Sequence, residues 1–215
     1  MNAFGWLFSF GLLASGYVVN FDNAPIGKTP PGWTVPTTNG SVGRWEVRRD
    51  PSAPTQPYVL AQTASDPKEE GFSLAILNAM SLRDADVSVR LKPVSGREDQ
   101  GGGLVFRYQN EKNYYVVRAD AHDEQVRVYR VENGRATPLQ VRAARVSTFG
   151  VKHDIHPNVW SILKVSVRGN RFQVYVNHRR ILQGDDAGLT SSGKVGLATV
   201  ADSVVYFDDF RVYAK

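Results

Sequence analysis

The sequence predicts an all-β protein, a two-layer sandwich or a barrel, on three observations. From about residue 20 onward, apolar and polar residues alternate with period two, as in strands with one buried face. Turn signals separate the alternating runs at roughly the 8–12-residue spacing of sandwiches and barrels. No stretch of ten or more residues carries an amphipathic helical pattern.

The elements follow in chain order. Ala3 to Val19, AFGWLFSFGLLASGYVV, is a 17-residue apolar run without a charge. It has the character of a signal-peptide core, with Ala14, Ser15 and Gly16 as small residues for cleavage, but no basic residues precede it. It also lies at the short limit of a spanning helix. Three readings stay open: a cleaved signal, an uncleaved membrane anchor, or a buried first element of the fold. The division expected is residues 1–19 as signal or anchor and 20–215 as one domain, placed outside the cytoplasm. Asn23–Gly43, with Pro25, Pro30, Pro31 and Pro36, reads as loop, and so does Ala144–Asn158.

Between these loops the strands are explicit. Val87, Val89 and Leu91 alternate with Ser88, Arg90 and Lys92, and Leu104, Phe106 and Tyr108 with Val105 and Arg107. Val126 and Val128 alternate with Arg127 and Tyr129, Leu163, Val165 and Val167 with Lys164, Ser166 and Arg168, and Phe172, Val174 and Val176 with Gln173 and Tyr175. Gly169-Asn170 and Asn177-His178 sit at hairpin spacing, and Asn133-Gly134 ends another strand.

Composition excludes several classes. Hydrophobic residues make up 42% of the 215 and aromatic residues 11%, enough for a sizeable core. The 26 Lys and Arg against 21 Asp and Glu give a net charge of +5. That excess is spread along the chain without a basic block, which argues against a nucleic-acid partner. With no cysteine, disulfides and thiolate metal sites are excluded. Gly101-Gly102-Gly103 and Gly27-Lys28-Thr29 superficially suggest a phosphate loop. The first leads straight into a strand, and the second has Asp22 where the first glycine belongs and two prolines where a helix should start.

The candidate ligand face is built from Arg107, Tyr114 and Arg118. Arg107 and Arg118 occupy the charged phase of adjacent strands, and Tyr114 shares the phase of Arg118 while Tyr115 points the other way with Val117. Guanidinium donors grip hydroxyls, and an aromatic ring stacks on the C–H face of a sugar. The alternative is an outward face of ordinary solvated arginines. Trp33, Trp45 and Trp160 read as core or strand-end anchors before they read as sugar platforms. His153 and His156 sit in a loop before Pro157, poor ground for a zinc site. Asn39-Gly40-Ser41 is a glycosylation sequon.

The C-terminal third, WSILKVSVRGNRFQVYVNHRRILQGDDAGLTSSGKVGLATVADSVVYFDDFRVY, with NFDNAPIGKTPPGW, RWEV and GGGLVFRYQNEKNYYVVR upstream, resembles the concanavalin A-like lectin/glucanase superfamily. It is most similar to the bacterial secreted domain of the 3-keto-disaccharide hydrolase type, with laminin-G-like domains as cousins. The resemblance covers about residues 17–213. It implies a jelly-roll sandwich of two antiparallel sheets, one concave, with sugar or protein contacts on the concave face. It also implies a structural calcium ion joining the N-terminal segment to the closing strand, for which Asp22, Asp209 and a carbonyl of Gly43 are the candidate oxygen ligands. The E-x-D-x-x-E carboxylate run of the related β-glucanases is absent. Glu69-Glu70, Asp84/Asp86, Glu98-Asp99 and Asp120/Asp123/Glu124 have the wrong spacing. The expectation is a non-catalytic binding module, with carbohydrate before protein as partner. A membrane-anchored accessory subunit and a glycoside or 3-keto-disaccharide hydrolase are the alternatives.

Overall fold

A computed structural model describes residues 16–38, 43–64 and 71–215. The sequon at 39–41, Glu69-Glu70 and most of the N-terminal apolar run lie outside the described residues.

In chain order the strands are β1 (Gly16–Val19), β2 (Trp33–Thr34), β3 (Trp45–Arg49), β4 (Tyr58–Gln62), β5 (Phe72–Leu82), β6 (Ala85–Ser95), β7 (Gly101–Asn110), β8 (Asn113–Asp120) and β9 (Gln125–Glu132). They continue with β10 (Arg135–Pro138), β11 (Val141–Ala143), β12 (Val146–Thr148), β13 (Val151–Lys152), β14 (Ser161–Arg168), β15 (Arg171–Val176), β16 (Arg179–Asp185), β17 (Gly193–Val200) and β18 (Val204–Ala214). Ten form one sheet in the order β12-β11-β16-β15-β14-β6-β18-β4-β3, with β1 on β18, and eight form the other in the order β10-β9-β8-β7-β17-β5-β2, with β13 on β9. The strand pairings are antiparallel, as the jelly-roll expectation requires.

The hairpins are built by the turn residues. β9 and β10 are joined by Asn133 and Gly134, and β15 and β16 by Asn177 and His178, each with both central φ angles positive. That is the type I′ signature, whose twist matches that of paired strands. Gly169 opens the β14–β15 turn with φ +54°. The 144–158 segment is more ordered than its sequence suggests: it contains β12 and β13, each held by pairing to an alternating neighbour rather than by a pattern of its own.

The main core lies between the sheets. Val87, Val89 and Leu91 of β6 and Leu163, Val165 and Val167 of β14 meet Leu104, Phe106, Tyr115, Val117 and Leu197 from the opposite sheet. Each such side chain removed from water contributes about 1.5–3 kcal/mol. Phe106 and its cross-strand partner Tyr115 stack at 4.9 Å. The expected tryptophan anchors are in place: Trp33 packs edge-on against Phe210, and Trp45 stacks on Phe207.

A second apolar cluster sits on the other face of the eight-stranded sheet. Leu74 and Ile76, Val105, Tyr114 and Val116, and Ala198 belong to it, each one residue out of phase with a main-core neighbour on its own strand. Both faces of this sheet are therefore apolar at its centre, which explains the unbroken hydrophobic runs in β5 and β17.

The domain begins before residue 20. Gly16 to Val19 pair with Tyr213 to Phe210 of β18, so the tail of the apolar run is the first strand of the sandwich, and the division expected at residue 20 falls inside the fold.

Candidate functional site

The phase argument for Tyr114 and Arg118 is correct, and the one for Arg107 is not. Tyr114 and Arg118 share the outer face of β8, and both are buried. Burial pushes the Tyr114 hydroxyl well above its ordinary pKa. Arg118 is sandwiched between Asp99 and Asp120. Burial works against its charge, and the two carboxylates more than offset that.

Arg107 sits where the β7–β8 register breaks after Phe106, with φ +50°. The irregularity hands the outer face to Tyr108, which joins the second cluster. The Arg107 side chain instead turns to the end of the sandwich. Its Nε donates to the Arg83 carbonyl at 3.1 Å, and Nη1 to that of Leu189 at 3.0 Å, while Nη2 donates to that of Gly169. Arg107 thus ties together three chain connections and does not join Tyr114 and Arg118.

The two carboxylates proposed as calcium ligands have other partners. Asp22 accepts the Tyr58 amide at 3.1 Å. Asp209 lies between Arg90 (3.0 Å) and Arg211 (3.3 Å), which already neutralise the charge a calcium ion would need. Gly43 packs against the Ser73 and Trp45 side chains. So engaged, the carboxylates of Asp22 and Asp209 do not fit a calcium ion.

The remaining carboxylates organise loops and strands. Asp202 accepts the amides of Arg97, Glu98 and Asp99. Burial opposes ionisation of Asp86, but hydrogen bonds from Lys164, Ser166 and Arg168 hold its pKa at about 2. Asp186 takes the Tyr115 hydroxyl at 2.5 Å and Arg130 at 2.9 Å. Burial raises Asp208 to about 6 against the amides of Thr55 and Asp209, and its side chain is fully enclosed.

An open site lies elsewhere. β11 meets β16 at one register position, Arg142 opposite Gln183, and among the described residues Arg179 to Leu182 have no strand partner on that flank. The strands splay into a groove of about 450 Å³, bounded by β11, β16 and β13 and lined by Arg142, Lys152, His153, Arg179, Arg180 and Gln183. Ligand cavities run from roughly 300 to 1,000 Å³. The only carboxylate within ion-pair distance of these cations, among the described residues, is Glu124, 3.1 Å from Lys152. His153 is half-buried, and burial lowers its pKa, with Arg179 adding to that effect and Asp154 opposing it.

The groove opens onto a polar row on the outer face of the ten-stranded sheet. Arg142, Gln183, Gln173 and Ser166 are successive cross-strand partners, and Arg180 is in register with Tyr175. Tyr175 is half-buried and donates to Gln173 Oε1 at 2.9 Å. Strand alternation hinted at this row through Gln173, Tyr175 and Ser166. The groove itself was hidden, because it depends on β11 and β13, two short strands inside a segment that reads as loop.

The comparisons bear on this geometry. The model of the 3-keto-alpha-glucoside-1,2-lyase-like domain matches residues 16–213. A levanase of Bacillus subtilis (strain 168) is 28% identical over 127 residues, 59% of this chain and 16% of the levanase, so the chain corresponds to a small part of that enzyme. Among solved structures, the carbohydrate-binding module CBM66 from Bacillus subtilis superimposes with a TM-score of 0.63 at 22% identity, covering 84% of this chain and 94% of the module. A Bacillus licheniformis beta-glucanase superimposes with 0.61 at 10% identity, covering 94% and 99%. Domain 4 of an extracellular arabinanase from Geobacillus stearothermophilus, in complex with arabinotriose, superimposes with 0.57 at 12% identity, covering 92% and 90%. The structural likenesses establish the concanavalin A-like jelly roll. With a family model spanning nearly the whole sandwich, the chain belongs to the 3-keto-alpha-glucoside-1,2-lyase-like domain family.

Proposed function

We propose that this chain is a non-catalytic carbohydrate-binding module acting outside the cytoplasm, and that the groove between β11, β13 and β16 is where it holds its glycan. The observation that carries this reading is the groove with its row: guanidinium, amide and imidazole groups converge on one cavity beside a half-buried tyrosine. Sugars are bound by donors of this kind together with an aromatic face. The likeness to a carbohydrate-binding module, and the relation to part of a levanase, support it. The roles of Asp86, Asp186, Asp202 and Asp208 as internal hydrogen-bond acceptors support a non-catalytic reading.

Cleavage of a 3-keto-glycoside is the second reading, favoured by the description of the family itself. One experiment separates the two. The full chain is titrated calorimetrically with a panel of oligosaccharides, neutral (fructans, arabinans and glucans) and acidic (uronates and sulfated glucans). The same mixtures, with a 3-keto-disaccharide added to the panel, are followed by chromatography. Binding without product, lost in Gln183→Ala and Arg180→Ala at unchanged melting temperature, is the expected result. Release of a free sugar overturns the non-catalytic assignment, and binding indifferent to both substitutions moves the site away from the groove.

A further inference from the structure

We infer that the groove selects a glycan bearing an oxyanion, a uronate carboxylate or a sulfate ester, and not a neutral sugar. This inference rests on the reading of the groove as the glycan site.

The argument is one of charge. Elsewhere on the ten-stranded sheet most arginines lie beside carboxylates: Arg48 on Glu46, Arg90 and Arg211 on Asp209, Arg168 on Asp86, Arg171 on Asp185. Arg142, Arg179 and Arg180 have no such partner among the described residues, and they share one cavity. Three like charges around a single concavity repel one another and concentrate a positive potential there. An anion relieves that repulsion, whereas a neutral sugar leaves it in place.

Geometry sharpens the class. Arg180 and Arg142 stand on the outer face with Gln183, Arg142 directly opposite Gln183 and Arg180 opposite Tyr175. Arg179, in register with buried Val176, approaches from the other side, close enough to His153 to act on it electrostatically. A planar carboxylate or a sulfate is suited to capture by guanidinium forks from two sides. Gln183, Gln173 and Tyr175, joined in one hydrogen-bonded row beside the cavity, meet the hydroxyls of the sugar that carries the anion. Among the described residues no strand pairs Arg179–Leu182 on the flank away from β15, and these residues line the cavity.

A charged lipid surface is a different occupant. Beside the groove, Val146 and Phe149 are 65% and 57% exposed, a feature of membrane-touching loops. The bounded cavity favours a small rigid unit over a flat headgroup layer, and vesicles enter the test as an outcome.

The test measures affinity of the full chain for oligogalacturonate, its methyl ester, a sulfated glucan oligosaccharide and its unsulfated parent, with phosphatidylglycerol vesicles alongside. The acidic member of at least one pair should bind tenfold or more tightly than its neutral counterpart. That preference should fall at least tenfold in Arg142→Gln and Arg180→Gln, and remain in Arg135→Gln, an exposed arginine outside the groove. The carboxylate and sulfate arms tell the two anions apart. Equal binding of acidic and neutral partners, abolished by Gln183→Ala, overturns the inference and keeps the glycan reading. No groove-dependent binding to any oligosaccharide overturns both. Acid-selective binding unmoved by the groove substitutions, or vesicle binding without oligosaccharide binding, also overturns the inference.

Discussion

Thr55 gives both its backbone N–H and its hydroxyl to one carboxylate, that of Asp208, at 2.8 and 2.9 Å across 153 positions of sequence. The bond pins the connection between β3 and β4 to the middle of β18. Because Asp208 is fully enclosed, burial is the largest influence on it and raises its pKa from 3.8 to about 6. A carboxyl group with a raised folded-state pKa favours folding while protonated. Its contribution is fully present below about pH 4 and is lost as pH rises to about 6. Asp208→Asn, which keeps an acceptor for the Thr55 amide, should remove that slope. The difference in unfolding free energy between wild type and variant should shift by about 2 kcal/mol in the variant's favour from pH 4 to pH 7. Urea denaturation at several pH values measures it, and parallel curves for the two proteins would refute the assignment.

Arg107 is a clamp, and its removal should be costly. Substitution by Ala leaves the carbonyls of Arg83, Gly169 and Leu189 without this donor at a buried position. Hydrogen bonds to a charged group are worth about 1.5–3 kcal/mol each, and unmade ones carry a desolvation cost. We expect a loss of about 3–5 kcal/mol. Arg107→Lys should recover little, since one ammonium cannot span three carbonyls in a fork. Affinity at the groove should be unchanged in any variant that stays folded, which calorimetry checks.

The contrast between Arg107 and Arg118 shows what the sequence could convey. Strand identity, hairpin turns and the phases of Tyr114 and Tyr115 follow from period two and from Asn, Gly and His at the turns, local rules that the structure obeys. Arg107 escaped because one positive φ, at a non-glycine residue, shifts the phase of everything after it. The partners of the candidate calcium ligands were out of reach for another reason: the pairing of Asp209 with Arg90 depends on which strand lies beside β18, and that is a fact of topology. The groove needed topology too. Arg142, His153 and Arg180 are scattered over 39 positions and meet only because β11, β13 and β16 converge.

Truncation should locate the start of the domain. A chain beginning at Gly16 keeps β1 on β18. One beginning at Phe21 loses four paired positions and exposes the edge of β18 from Phe210 to Tyr213. A bare edge offers unpaired backbone groups to other chains. The shorter protein should therefore melt lower by several degrees and show concentration-dependent aggregation by light scattering. Identical melting of the two would mean that β1 contributes nothing.

Gly103 supplies the last test, and with Gly102 shows what glycine does at the start of β7. A Cβ built on Gly103 would overlap the Val117 carbonyl oxygen and lie 2.8 Å from its carbonyl carbon and 3.1 Å from the Arg118 Cα. These are backbone atoms of the partner strand, so no rotamer change relieves the clash. Gly102 faces the core instead, where a Cβ would lie 2.8 Å from the Phe207 ring and 3.0 Å from Val205. Side chains can yield by a few tenths of an ångström; a paired backbone must break register to do so. Gly103→Ala should thus destabilise the fold more than Gly102→Ala, by about 2–4 kcal/mol against about 1–3. It should also disturb Arg118, whose Cα sits at the clash and whose guanidinium is held by Asp99 and Asp120. Hydrogen exchange of the β7–β8 amides, compared between the two variants, reads this directly: protection should fall along β8 in Gly103→Ala and persist there in Gly102→Ala.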